Sequence, residues 1–231
     1  MKKIIGIVIV AAIFAIPAFL FLTQNKNKTY NKESTQAIVN QGDLEFAAER
    51  DYFFYQPPLP TSNPEKIEVV DIFWYGCPSC YNLHDDLELW HKKLGSDVLF
   101  IRKPVAVRRD WLNHAKIWLT AKMLGVEEKL HHKVFNAIHK DRLQLNNIES
   151  ITEFFVKNGI DELKFKQVFN SAEINKQIQA LNQQMAQYKI NVTPSLIING
   201  RYLIPGKDDD EKMLRIADYL IAKERLAEQT N

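Results

Sequence analysis

The apolar positions of this chain change period along its length, and each change marks an element. Ile67 to Trp74 is an almost unbroken β-branched and aromatic run, the pattern of a strand buried on both faces. Beyond Cys77-Pro78-Ser79-Cys80, Leu83, Leu87, Trp90 and Leu94 recur at spacings of four, three and four, one face of an amphipathic helix that Gly95 would close. Val98 to Lys103 is a second strand, stopped by Pro104. Strand, helix and strand with short joints make a βαβ unit, which implies a parallel pair. Upstream, Asp51 to Tyr55 is a short aromatic edge strand, ended by prolines 57, 58 and 60, which cannot donate to a ladder.

From Asp110 to Tyr188 the period becomes helical. The expected helices are Trp111 to Leu124, Glu127 to Lys140, Ile148 to Asn158, Asp161 to Asn170, and a long one carrying Ile174, Ile178, Leu181, Met185 and Tyr188. Gly125 and Gly159 stand where a left-handed C-cap is wanted. Ser195 to Ile198 and Arg201 to Ile204 then flank Asn199-Gly200, a hairpin signal because both central positions of a type I′ turn need positive φ. A last helix is expected from Asp208, its acidic first turn suiting the positive end of the helix dipole.

At the N-terminus, Met1-Lys2-Lys3 precedes an uncharged, mostly apolar run from Ile4 to Leu22. Its length approaches the roughly 20 residues that span a bilayer, so 1–24 is either a signal peptide or an uncleaved membrane anchor. Residues 25–50 read as a polar tether, in which Thr35 to Arg50 either forms a short helix or extends the tether.

With 231 residues, 46% of them hydrophobic, the chain can bury a real core. Thirty basic against 28 acidic side chains leave a net charge of +2, so no electrostatic footprint for nucleic acid is expected. The two cysteines lie three positions apart, too close to staple a fold. A structural zinc site normally needs four ligands, and His84 is the only other candidate near them in sequence; no metal is therefore expected.

The strand, Cys-X-X-Cys, helix order is itself a redox mechanism. Cys77 falls at a helix N-terminus, where unpaired N–H groups and the dipole stabilise a thiolate. Pro78 suits the first turn, having no N–H to lose, and Cys80 is placed to close a small disulfide ring as the inner partner.

The segment Phe73-Trp-Tyr-Gly-Cys-Pro-Ser-Cys80, the helical stretch after the βαβ unit, Val192-Thr193-Pro194 and the Asn-Gly hairpin together resemble the DsbA family of the thioredoxin superfamily. The resemblance implies an α/β, thioredoxin-like fold with an inserted helical domain of about 80 residues. Its parts would be 51–104, the insertion 105–189, and 190–231. It further implies a thiol:disulfide oxidoreductase of the bacterial periplasm, soluble after signal cleavage or tethered by residues 4–22. Such an enzyme introduces disulfides into reduced exported proteins and is reoxidised by a DsbB-like membrane quinone oxidoreductase. No cofactor beyond the Cys77–Cys80 disulfide is implied.

Residue by residue, the resemblance makes Thr193-Pro194 a cis peptide opposite the cysteines that holds an extended substrate. It makes Asp71 a buried acid that exchanges protons with Cys80, and Arg102 its basic partner, although a surface position at a strand end explains Arg102 equally well. Ser79 stands where strong oxidants of the family carry His, which points to a milder oxidant; Thr193 stands where they carry Val and is similar to isomerases and reductases of the superfamily, which leaves the direction of the reaction open but not its class. His84 is either a partly exposed helix residue or a modulator of thiol acidity. Trp74 and Tyr75 either pack in the core or line a substrate groove, and His131 and His132 fit a solvated helix face.

In the expected reaction a substrate thiolate attacks Cys77, Cys80 leaves, and a second substrate thiolate attacks the Cys77 sulfur. Two rivals stand beside it. One is a reductase or isomerase running the same exchange; the other is a non-catalytic metal-binding or assembly protein that uses the cysteines as ligands.

Overall fold

A seven-residue strand that is buried at every position organises the fold. In the computed structural model, which describes residues 31–106, 108–207 and 209–229, β2 (Ile67–Phe73) lies between its parallel partner β3 (Val98–Pro104) and antiparallel β4 (Ser195–Ile198). The five-stranded sheet is completed by β5 (Tyr202–Pro205) and the edge strand β1 (Phe53–Phe54), in the order β1-β5-β4-β2-β3. The hairpin between β4 and β5 turns through Asn199 and Gly200, both at positive φ.

Strand alternation sends successive side chains to opposite layers. Ile67, Val69, Leu196 and Ile198 pack with helices α1 (Lys32–Glu45), α2 (Pro78–His91) and α8 (Asp210–Glu228). Val70, Ile72 and Ile197 pack instead with Met185 and Tyr188 of α7 (Ala172–Tyr188). Between β3 and β4 the chain runs through α3 (Arg109–Met123), α4 (Glu127–His139), α5 (Ile148–Lys157), α6 (Glu162–Phe169) and α7. Their core includes Ile117, Leu130, Phe135, Phe155 and Phe165, and reaches Phe73, Tyr75, Cys77 and Cys80. The cysteines therefore sit where the sheet meets the helical insertion.

Several boundaries differ from the sequence expectation. The helix after the cysteines ends at His91, four residues before Gly95, with Lys92 as its C-cap. The strand at 51–55 is only two residues long, because Asp51 is buried in ion pairs with Arg50 and Lys212 rather than extended in the ladder. Pro104 does not stop β3 but is its last residue, paired with Phe73 at the sheet edge.

Over the described part of 25–50 the short-helix alternative holds and begins earlier than expected, with Asn31 capping α1. Thr35, Val39 and Gly42 of α1 are buried, and Asp43 accepts a 2.6 Å hydrogen bond from the Tyr219 hydroxyl of α8. Residues 1–30, and with them the proposed signal or anchor, lie outside the described residues. No helix among the described residues is long and apolar enough to cross a membrane.

Gly42 permits this docking. A Cβ there would lie 2.1 Å from Tyr219 Cδ2. Gly to Ala inside a helix gains about 1 kcal/mol of propensity, whereas overpacking a tight contact costs about 1–3 kcal/mol. We expect Gly42→Ala to lower the denaturant midpoint; a midpoint at or above wild type would show that the α1–α8 contact does not constrain the fold.

Candidate active site

Trp74 to Gly76 carries the chain from the end of β2 to Cys77, which is the N-cap of α2; Pro78 occupies the first helical position. The Cys77 sulfur accepts the Cys80 N–H at 3.3 Å and lies 3.3 Å from the Thr193 carbonyl oxygen. Both cysteines are unbridged thiols, and Pro78 and Ser79 are exposed above them. Thr193-Pro194 is a cis peptide, as expected, and so is Gln56-Pro57, which was not foreseen. The Gly206 N–H donates to the Pro194 carbonyl at 2.8 Å, so β5 supports this loop from behind.

The two thiols have opposite acidities. Cys77 is lowered to about 6, first by the hydrogen bond from the Cys80 thiol, then by the Thr193 side chain and the N–H groups of Cys80 and Ser79, all against the opposing effect of burial. Cys80 is raised well above the ordinary thiol value by burial, by Cys77 and by the nearby charge of Asp71.

Asp71 shares the strand parity of Ile67 and Val69, so it points toward the α2 layer. Burial raises its pKa to about 7, with the Arg102 charge opposing. Arg102 is also buried, which corrects its reading as a surface residue at a strand end. Its Nε is 3.9 Å from Asp71 Oδ2, an ion pair beyond hydrogen-bond range. The other two nitrogens reach Glu88 of α2 and, at 3.2 Å, Glu128 of α4.

Three further expectations change. His84 is 5% exposed, not partly exposed, and burial lowers its pKa to about 4. His131 is not on a solvated face. It is buried against Phe73, Tyr75 and His84, with Nδ1 2.8 Å from the Tyr75 hydroxyl; His132 keeps the exposed side. Tyr75 is 1% exposed and belongs to the core, so it cannot line a groove. Trp74 is half-buried and stacks on Trp111 of α3 at 4.5 Å between ring centroids.

Glu88 was missed, although it was legible: Cys80, His84 and Glu88 repeat at i, i+4, i+8 along one face of α2. His139, whose Nε2 lies 2.7 Å from the Tyr75 carbonyl, gave no such signal.

The chain is similar to known proteins in sequence and in fold. A model of the DSBA-like thioredoxin domain matches residues 56–216. The chain belongs to the DsbA family. Among its relatives is the thiol:disulfide interchange protein DsbA of Pseudomonas aeruginosa, 37% identical over 185 residues that cover 79% of this chain and 88% of that one. The DsbA of Azotobacter vinelandii is 36% identical over 181 residues, 78% and 85% of the respective chains. The crystal structure of P. aeruginosa DsbA superposes with a TM-score of 0.77 at 36% identity, covering 80% of this chain and 97% of that one. This DsbA-family chain is a thiol:disulfide oxidoreductase, and its redox group is the cysteine pair itself.

Two pH dependences follow. Alkylation of the reduced chain by iodoacetamide should modify Cys77 with a midpoint near pH 6, leaving Cys80 unmodified, as mass spectrometry of the labelled peptide would report. A midpoint at the ordinary thiol value of about 8.5 would contradict the geometry. For Asp71 the folded pKa lies above the unfolded value of 3.8, so between about pH 4 and 7 the folded state holds the extra proton and stability falls as pH rises. A tenfold difference in proton affinity between the folded and unfolded states is worth roughly 1.4 kcal/mol, large enough for urea titrations to show that Asp71→Asn flattens this slope.

Proposed function

We propose that the chain acts in the oxidising direction in the bacterial periplasm, introducing disulfides into reduced exported proteins through a mixed disulfide at Cys77. A DsbB-like membrane quinone oxidoreductase would restore the Cys77–Cys80 disulfide. The observation that carries this reading is the acidity difference within the pair: a stabilised Cys77 thiolate favours the reduced enzyme, which makes the disulfide a good electron acceptor.

The cycle begins with the pair oxidised. A substrate thiolate attacks Cys77 Sγ, the Cys77–Cys80 bond breaks, and Cys80 leaves with the electron pair. Asp71, with its pKa near neutrality on the face below α2, supplies the proton that Cys80 strongly retains. The second substrate thiolate must then attack the substrate sulfur of the mixed disulfide. Attack on the Cys77 sulfur, the sequence expectation, would only exchange one mixed disulfide for another. Attack on the substrate sulfur closes the substrate's disulfide and releases Cys77 as its stabilised thiolate. The substrate is oxidised by two electrons and the enzyme reduced by two.

The other residues have supporting roles. Thr193 and Pro194 border the Cys77 sulfur and hold the extended substrate. Trp74, backed by Trp111, offers half-buried aromatic surface beside it. Arg102 holds Asp71 in place, and His84 tunes the inner side of α2. Pro78 and Ser79 shape the first turn, where the Ser79 N–H does part of the work that a histidine side chain would do. Thr193, the residue that left the direction open in the sequence, lies with its carbonyl 3.3 Å from the Cys77 sulfur, and its side chain is among the causes that lower the Cys77 pKa.

The reduced model substrate should be oxidised by wild type, not by Cys77→Ser, and a mixed disulfide should accumulate with Cys80→Ser. In a glutathione buffer the pair should equilibrate well above the roughly −270 mV of thioredoxin. A value at or below that would instead place the enzyme among reductases. Thr193→Val should move the Cys77 alkylation midpoint up toward the ordinary thiol range and leave a larger oxidised fraction in the same buffer.

A further inference from the structure

The geometry points to a binding site for a divalent late-transition-metal cation at the α2–α4 junction, with His84, Asp85 and His132 as its protein ligands. His84 lies one helical turn beyond Cys80. Its ring is buried, yet its Nε2 has no hydrogen-bond partner. A buried polar atom left unpaired costs about 1–3 kcal/mol, so such an atom in a histidine ring calls for a ligand.

The other two ligands come from different elements and lie beside the His84 ring. His132 of α4 brings its ring centroid to 5.1 Å from that of His84, and its Nδ1 lies 3.2 Å from Asp85 Oδ1. One donor atom from each of the three side chains lies within 4.8 Å of the other two. Zinc bonds of about 2.0–2.2 Å in a tetrahedron put donors roughly 3.4 Å apart. Closing that gap asks for small rotations of Asp85 and His132, whose side chains are 76% and 50% exposed and free to make them.

The donor set selects the metal. Two imidazoles and one carboxylate suit Zn2+ or its neighbours, whereas Ca2+ and Mg2+ want oxygen alone. Three protein ligands leave the fourth position to water. A deeper set, His84, Glu88 and His131, is also close enough. There, however, Glu88 is already held by Arg102 and His91, and His131 by the Tyr75 hydroxyl. Among the described residues, a cation in the outer set displaces the His132–Asp85 ion pair and no other side-chain polar contact of the three ligands. It would tie the active-site helix to the helical insertion.

The test uses the oxidised full chain, whose disulfide withholds both cysteines from the metal. Zn2+ is titrated in competition with a chromogenic chelator. One Zn2+ per chain is expected, with affinity weakened by about tenfold or more in both His132→Ala and Asp85→Asn; removing mere outer-shell partners already acts on that scale. Zn2+ should raise the melting temperature of wild type and not of His132→Ala. Asp86→Asn, an exposed neighbouring carboxylate outside the cluster, should bind like wild type. Absence of Zn2+ binding by wild type, wild-type affinity in either ligand variant, or loss of binding in Asp86→Asn would overturn the assignment.

Discussion

The rest of the site depends on one contact: the Cys77 sulfur closes the N-terminus of α2 by accepting the Cys80 N–H. A helix start leaves N–H groups that nothing inside the helix can satisfy. An anionic sulfur satisfies them better than a neutral one, so the same geometry that begins the helix acidifies the thiol. Serine or aspartate would cap the helix equally well and carry no redox chemistry. β2 and the turn after it deliver Cys77 to this point. A strand buried at every residue fixes the direction of approach, and Gly76 lets the chain turn against the Trp74 ring, which leaves no room for a Cβ.

Capping alone does not separate the two cysteines; depth does. Cys80, one turn into the helix, faces the core shared by the sheet and the insertion, where a charge is costly. Its thiol therefore remains a donor, and the group it donates to is Cys77. One hydrogen bond, seen from its two ends, lowers the pKa of the outer thiol and raises that of the inner one, and burial adds the larger share of the rise at Cys80. The helical insertion contributes by supplying Phe135, Leu130 and their neighbours, which keep water from the inner thiol.

The elements that could be read from the sequence are those whose causes are local. Ile67 to Phe73, the Asn199-Gly200 turn, and the glycines at 125 and 159 with positive φ needed only periodicity or backbone sterics. The start of α2 at Pro78 was legible for the same reason. Features set by distant partners were not. The polar segment from Lys32 looks like a tether until α8 covers Gly42 with Tyr219. His84, His131 and Arg102 look solvated in their own helices and strand, and become buried only because α4 lies across α2 and β3. Tyr75 could not be divided between core and groove without knowing that His131 waits for its hydroxyl.

The same burial explains how Asp71 can gain and lose a proton without undoing its surroundings. A buried guanidinium stripped of its only carboxylate would be strongly destabilised, and a buried pair of that kind would hold its acid permanently ionised. Arg102 is not in that position, because Glu88 bonds it directly and Glu128 reaches it from the solvent side. Glu88 is itself held ionised, its pKa lowered to about 2 despite burial by its bond to His91 and by the charge of Arg102. The permanent negative charge is thus Glu88, and Asp71, 3.9 Å from the guanidinium and penalised by burial, is left near its titration point. An arginine shared unequally between two acids lets one of them remain a salt bridge while the other moves protons.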